Sequence, residues 1–493
     1  MPSARRLRLL FAFVMILFTG SCAFRSGWVT PRLTSREVAQ LKEQIDGAVT
    51  RTDPDLTFGM KAVSLKTGEI LYERNSTHRF TPASNMKLFT AAAALHILGP
   101  YYRFRTALYA DSSFVSDTVP HNLYLRAGGD PDLTHQDLDR MTEDLELQNI
   151  ATVVGDLVVD ASEFDTDQRG PGWMWDDVPY RYAAPVSAMT LNDNCVVVHI
   201  SPGKSVGDAA RARLEPPTGY ASVTVNAVTV GQDSVYHPIK VTRRWKTREN
   251  VIEVTGDVPA GSRPESHVIT IESPPLYAGT VLKELIQARG IEFQGVVRED
   301  TIPSDTILLS LHRSRPLSET VRNLLKNSDN LTAELLVKKL GSVTADTTGT
   351  WLTGLQAVKT FLQDEVKLDT TTLVMADGSG VSRYNLLSPD HLVHLLIWVY
   401  KNFKIFPEFS SSLPIGGGDG TLSARMAAEE LRDRTRAKTG TLQGVSSLSG
   451  YLVTRDNETV VFSIMMNGYV GENSRFRQLQ DEIVAILTSF SRF

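Results

Sequence analysis

Apolar residues recur with helical spacing over residues 35–49, where Thr34 and Glu37 open the run in a capping pattern. Two short apolar runs, 62–65 and 70–72, flank Lys66-Thr67-Gly68 and predict a hairpin over 57–73. An alanine-laden run, 87–95, follows Thr81-Pro82-Ala83 and predicts a helix that starts at Ser84. Further helical patterns cover 317–326, 332–340, 348–365, 389–401 and 474–490. Strand-like runs at 445–453 and 459–466, parted by Asp456-Asn457, predict a second hairpin. Between the first and second groups lie β-branched runs at 123–127, 156–159, 196–200, 221–230, 251–254 and 268–271, separated by turn residues. Pro202-Gly203, Pro216-Pro217 and Pro259-Ala260-Gly261 mark joints within that region.

The first residues follow a different pattern. Arg5, Arg6 and Arg8 precede an apolar run, 9–18, that is too short to span a bilayer as a helix. Thr19-Gly20-Ser21 and Cys22 come next, so residues 1–22 read as a secretory signal. Small residues directly before Cys22 resemble a lipoprotein processing site. There Cys22 would carry lipid and tether the chain to a membrane. Thr19 departs from the leucine usual at that place, and plain secretion is the alternative. Either outcome exports the mature chain, and the wall chemistry read below sets it in the periplasm.

Composition removes several function classes. The 493 residues hold 51 Lys plus Arg against 56 Asp plus Glu, a net charge of −5 that argues against a nucleic-acid partner. Cys22 and Cys195 are the two cysteines, so fold stability does not rest on a disulfide framework. Cys195, ahead of a valine run, reads as a buried structural thiol. Ten histidines form no H-E-x-x-H pattern, and neither a metal nor another cofactor is expected.

Three motifs carry the chemistry: Ser84-Asn85-Met86-Lys87, Ser328-Asp329-Asn330 and Lys438-Thr439-Gly440. In this order they are the set of an active-site serine acyl-transfer enzyme with a lysine proton acceptor. Ser84 and Lys87 fall one turn apart on a helix face. The alternative for them is a helix cap with a solvated lysine. Ser328 and Asn330 sit between two helical patterns, where a loop can aim them inward or simply cap a helix. Lys438-Thr439 on an edge strand offers a cation and a hydroxyl to a carboxylate, and otherwise guards an edge against aggregation. Two decoys fail on context. Ser201-Pro202-Gly203-Lys204 cannot hold serine and lysine on one helix face, and Lys66-Thr67-Gly68 lies where a hairpin turn belongs. The segment from Lys87 to Ser328 is far longer than two touching motifs need. It therefore reads as a domain-sized insert.

The trio and its flanks resemble the penicillin-binding protein 4 type of D-alanyl-D-alanine carboxypeptidase/endopeptidase. The stretches that carry the resemblance include Pro82 to Leu88, Gly128-Gly129-Asp130-Pro131, Pro171-Gly172-Trp173, Asp377 to Asn385, Asp419-Gly420-Thr421-Leu422 and Lys438 to Val445. The resemblance implies an α+β fold, a transpeptidase/β-lactamase-like core of antiparallel sheet and helices interrupted by a strand-rich, two-subdomain insert. The expected division is a core over 30–103 and 305–493, with the insert over 104–304. It implies Ser84 as nucleophile, Lys87 as base, Ser328 as proton relay and Asn330 as holder of Lys87. It also implies Lys438 and Thr439 on the substrate carboxylate, with the N–H groups of Ser84 and Thr441 as oxyanion hole. Asp177, Tyr182, Arg383 and Gln443 would bind a diaminopimelate side chain; loop, core and surface-pair roles are the alternatives for the first three. The implied partners are peptidoglycan stem peptides and β-lactam antibiotics. A β-lactamase and a non-catalytic wall-binding protein are the rival readings. The long insert speaks against the first and the intact trio against the second.

Overall fold

The computed structural model describes residues 36–111 and 117–492. The signal segment, Cys22 and Thr34 lie outside the described residues.

The central sheet is antiparallel and runs Thr435–Leu442, Val445–Val453, Thr459–Asn467, Thr57–Ser64, Ile70–Arg74. The two predicted hairpins thus meet edge to edge, with Thr57 opposite Asn467 and Ser64 opposite Val460. Helices cover both faces. Phe58, Met60, Leu448 and Ile464 pack with Leu41 and Ile45 of the helix Arg36–Thr52 and with Phe476 and Ile483 of the helix Asn473–Ser489. Val63, Val461 and Met465 join the other core cluster, which includes the helices Lys87–Ile97, Asn330–Ala345 and Pro389–Lys401. Burial on both sides explains why Thr459–Asn467 is apolar nearly throughout rather than alternating. Thr435–Leu442 is left as an edge, so every second backbone N–H and C=O on it faces away from the sheet.

The helix expected from Ser84 forms in two parts. Ala83–Met86 is a 3-10 turn, and the α-helix proper is Lys87–Ile97. Ala83 holds φ at 47°, which no regular α-helical entry allows. Ser84 and Lys87 nonetheless remain three residues apart along one face.

The insert is built on strands, as expected, but the strand reading misses two helices, His135–Leu147 and Pro274–Ala288. Their signals are local: Thr134 and Asp137 form a capping box, and Pro274-Pro275 occupy the first turn. The run 221–230 divides into Ser222–Val225 and Val228–Val230, which pair with different strands. One boundary moves. Thr306–Arg313, placed by the sequence at the start of the second core segment, pairs along Arg105–Asp111 in the insert's own sheet. Among the described residues, no helix is long and apolar enough to cross a membrane.

Candidate active site

Ser84, Lys87, Ser328, Asn330 and Lys438 converge from four elements. Lys87 is fully buried. Its Nζ lies 3.0 Å from Ser84 Oγ, 2.6 Å from Asn330 Oδ1 and 2.7 Å from the Ser379 carbonyl. The helix-cap alternative fails on this geometry, because the lysine is not solvated. Ser328 adopts φ 59° just past the end of the helix Leu317–Asn327, and that left-handed turn swings its hydroxyl toward the sheet. Lys438 Nζ donates to Ser328 Oγ at 2.8 Å. Asp329 caps the next helix by accepting from Thr332 N, which fixes Asn330 at its first position.

Two glycines permit the close packing. A Cβ on Gly380 would stand 1.9 Å from the Ala83 carbonyl, and φ there is 88°. A Cβ on Gly440 would stand 2.2 Å from Ser447 Oγ and 2.8 Å from the Pro82 carbonyl. The 83–86 turn is thereby clamped between the 377–385 loop and the edge strand. Asn85 ties it down further, donating to the Lys438 carbonyl and to Ser447 Oγ.

Burial pushes the Lys87 ammonium down to about 8, against the nearby carboxylates of Asp377, Glu334 and Asp329, which favour its charge. Burial, and then the Lys87 charge, hold the Lys438 ammonium well below the usual lysine range as well. Lys87 has three carboxylates in its field, whereas the field at Lys438 is dominated by another cation.

Sequence reasoning overlooked Glu334 and gave no role to Asp377. Glu334 is fully buried and accepts from Gly378 N, Ser379 N and Trp351 Nε1. Burial and the Asp377 charge raise its carboxyl to about 7. Asp377 accepts from Gly380 N, Ser382 N, Asn385 Nδ2 and Trp173 Nε1. The pair shapes the loop that presents the Ser379 carbonyl to Lys87. A glutamate inside the apolar helix 332–340 was the available signal.

The specificity candidates form two pairs. Tyr182 donates its hydroxyl to Asp177 Oδ1 at 2.6 Å, and Arg383 donates to the Gln443 carbonyl at 2.8 Å. Tyr182 is 47% exposed, which removes the core alternative, and its carbonyl accepts from Asn330 Nδ2 at 2.7 Å. The insert therefore reaches the cluster around Lys87 directly. Thr439 Oγ1 bonds Thr421 Oγ1 at 2.8 Å, and Thr441 lies two positions further along the same edge strand. The two decoys stay apart: Lys66-Thr67-Gly68 is the turn between paired strands, and Ser201 ends the strand Cys195–Ser201. Cys195 is buried, and burial raises its thiol far above the usual range.

The sequence model of the D-Ala-D-Ala carboxypeptidase 3 (S13) family matches residues 41–490. The chain belongs to that family. A D-alanyl-D-alanine carboxypeptidase of Actinomadura sp. strain R39 is 36% identical over 451 residues, 88% of this chain and 82% of the relative. The crystal structure of penicillin binding protein 4 (dacB) from Haemophilus influenzae superposes with a TM-score of 0.80 at 26% identity, covering 90% of this chain and 99% of the other. Its complex with a β-lactam superposes with a TM-score of 0.74 at 25% identity, covering 91% and 99%. In this S13 chain the buried Lys87 Nζ stands against the Ser84 hydroxyl, and Lys438 Nζ stands against the Ser328 hydroxyl.

Proposed function

We propose that this S13 protein is a serine-type D-Ala-D-Ala carboxypeptidase/endopeptidase that cleaves peptidoglycan stem peptides through an acyl-enzyme and is inhibited by β-lactams. The observation that carries this reading is the buried Lys87 Nζ, 3.0 Å from Ser84 Oγ and depressed to about 8. Neutral Lys87 takes the Ser84 proton as Oγ attacks the carbonyl of the penultimate D-alanine. Backbone N–H groups of Ser84 and Thr441 receive the oxyanion. The amine leaves with a proton passed through Ser328, whose hydroxyl sits against Lys438. Lys438 and Thr439 hold the terminal carboxylate. Water then attacks the acyl carbonyl and gives a proton to the same relay; the bond from the acyl carbon to Oγ breaks, and Ser84 Oγ takes a proton back from the relay. Asn330 keeps Lys87 aimed throughout.

Acylation by penicillin should accelerate as pH rises through about 8, where Lys87 loses its proton. The sign follows from the neutral amine being the proton acceptor. A stopped-flow profile that is flat or falling through that region would remove Lys87 from this role.

Asp177, Tyr182, Arg383 and Gln443 are assigned to the side-chain end of diaminopimelate, which bears an amine and a carboxylate. The exposed Asp177–Tyr182 pair beside Asn330 supports this. Asp177→Ala should lower turnover of diaminopimelate-containing peptides by ~10-fold or more, the loss expected for a charged hydrogen bond. Penicillin acylation should fall far less, since the drug lacks that amine. Equal losses would make Asp177 a prop of the fold.

The core is assigned to residues 30–103 and to the chain after Arg313, with the insert between. Residues 1–22 are assigned as a signal and Cys22 as a lipid anchor on the periplasmic side, supported by the small residues ahead of it. Labelling with a radioactive fatty acid should be lost in Cys22→Ser. Equal labelling of that variant would refute the anchor.

A further inference from the structure

Trp175 opens the 3-10 turn that ends in Asp177, and it is 66% exposed. Its ring centroid lies 4.9 Å from that of Trp245, which stands on a separate loop of the insert in the turn Trp245–Thr247. The Lys246 ammonium is 5.6 Å from each ring centroid. Two loops thus bring an indole pair to the surface, where apolar area is costly to leave in water.

The indoles wall a cavity of about 710 Å³ whose other side is polar, lined by Gln168, Arg169, Arg248 and Glu272. Glu272 is 4% exposed and accepts from Arg243 at 2.8 Å and Arg169 at 3.2 Å. Arg248 Nε stands 3.6 Å from Glu272 Oε2, an ion pair beyond hydrogen-bond length. Gln168 Oε1, Arg169 Nε and Glu272 Oε2 are buried without a hydrogen-bond partner among the described residues. A buried polar atom of this kind calls for a partner.

Flat aromatic walls beside a mixed set of fixed donors and acceptors suit a particular ligand chemistry. A pyranose ring has an apolar C–H face and a rim of hydroxyls that both donate and accept. An N-acetylated amino sugar adds an amide that does the same. The position fits as well. Trp175 shares its turn with Asp177, Asp177 bonds Tyr182, and the Tyr182 carbonyl bonds Asn330 beside Lys87.

We propose that the cavity walled by Trp175 and Trp245 is a subsite for the β-1,4-linked amino-sugar strand that carries the stem peptides. The choice of this ligand rests on the peptidoglycan reading above. The indoles stack on sugar rings, and the polar side takes hydroxyl and acetamido groups. A peptide held at Ser84 is then recognised together with its glycan.

The probe is the β-1,4-linked tetrasaccharide of N-acetylglucosamine, followed by calorimetry on the full chain. Trp175→Ala and Trp245→Ala should each bind it about tenfold more weakly than wild type. Trp175→Tyr, which keeps a flat ring, should recover most of that loss. In a second arm, each alanine variant should release cross-linked peptides from intact sacculi about fivefold more slowly relative to its own turnover of a soluble D-Ala-D-Ala peptide. The proposal is overturned if wild type shows no saturable tetrasaccharide binding, if both alanine variants bind like wild type, or if sacculi and soluble peptide lose equally. If an alanine variant lacks a cooperative melting transition, the Trp175→Tyr comparison decides. Wild type that binds the tetrasaccharide but turns over neither substrate would refute the proposed function and leave the subsite standing.

Discussion

Ser84→Ala should carry no penicilloyl group by intact-mass measurement, whereas wild type should carry one per chain. Two features make this the largest expected effect. Ser84 is the hydroxyl in contact with Lys87, and the turn that holds it is clamped by Gly380, Gly440 and Asn85. Removing one oxygen leaves that clamp intact, so the variant should melt like wild type while losing the covalent chemistry. The competing serine of the same motif pattern, Ser201, ends a strand of the insert, and its motif lysine has no helix to share with it. A penicilloyl adduct that persists in Ser84→Ala, or that maps to Ser201, would overturn the assignment of the site.

Lys87→Ala should slow acylation by on the order of 10³-fold or more, because nucleophile and base act as a unit. Lys87→Arg should fail as well. A guanidinium keeps its proton at any ordinary pH, whereas burial has brought the Lys87 ammonium to about 8. The arginine variant retains positive charge beside Asp377, Glu334 and Asp329. Its failure would therefore separate proton acceptance from simple charge balance. Rapid-mixing measurements with a chromogenic β-lactam read both rates, and an active Lys87→Arg would mean that another group takes the proton. Lys438 is a rival cation, but its Nζ is engaged with Ser328 and the Thr439 carbonyl.

The site and the insert differ in how far the sequence revealed them. The three motifs were legible because each is short and its spacing is set by one local element. Serine and lysine three apart lie on one face of a helical turn, and Lys438-Thr439 sits on a strand announced by the hairpin that follows. Glu334 and Asp377 were not legible as partners of the site. Their work is to accept backbone N–H groups of a loop, a relation between residues distant in sequence that no local period records. The helices His135–Leu147 and Pro274–Ala288 were missed although their capping signals are present, because the β-branched runs around them dominated the reading.

By itself the sequence determined the order of core elements, the α+β class, the presence of an insert of domain length and the residue types able to perform acyl transfer. Local periodicity, turn chemistry and motif spacing suffice for these, apart from the α+β class, which the family resemblance implied. Tertiary structure decided which strands share a sheet, including the pairing of Thr306–Arg313 with Arg105–Asp111. It decided that Ser84 enters on a 3-10 turn, that Tyr182 of the insert reaches Asn330, and that burial holds both Lys87 and Lys438 below the usual lysine range. Such outcomes depend on burial and on contacts made across hundreds of residues. The desolvation that tunes a lysine toward neutrality exists only once the chain has closed around it.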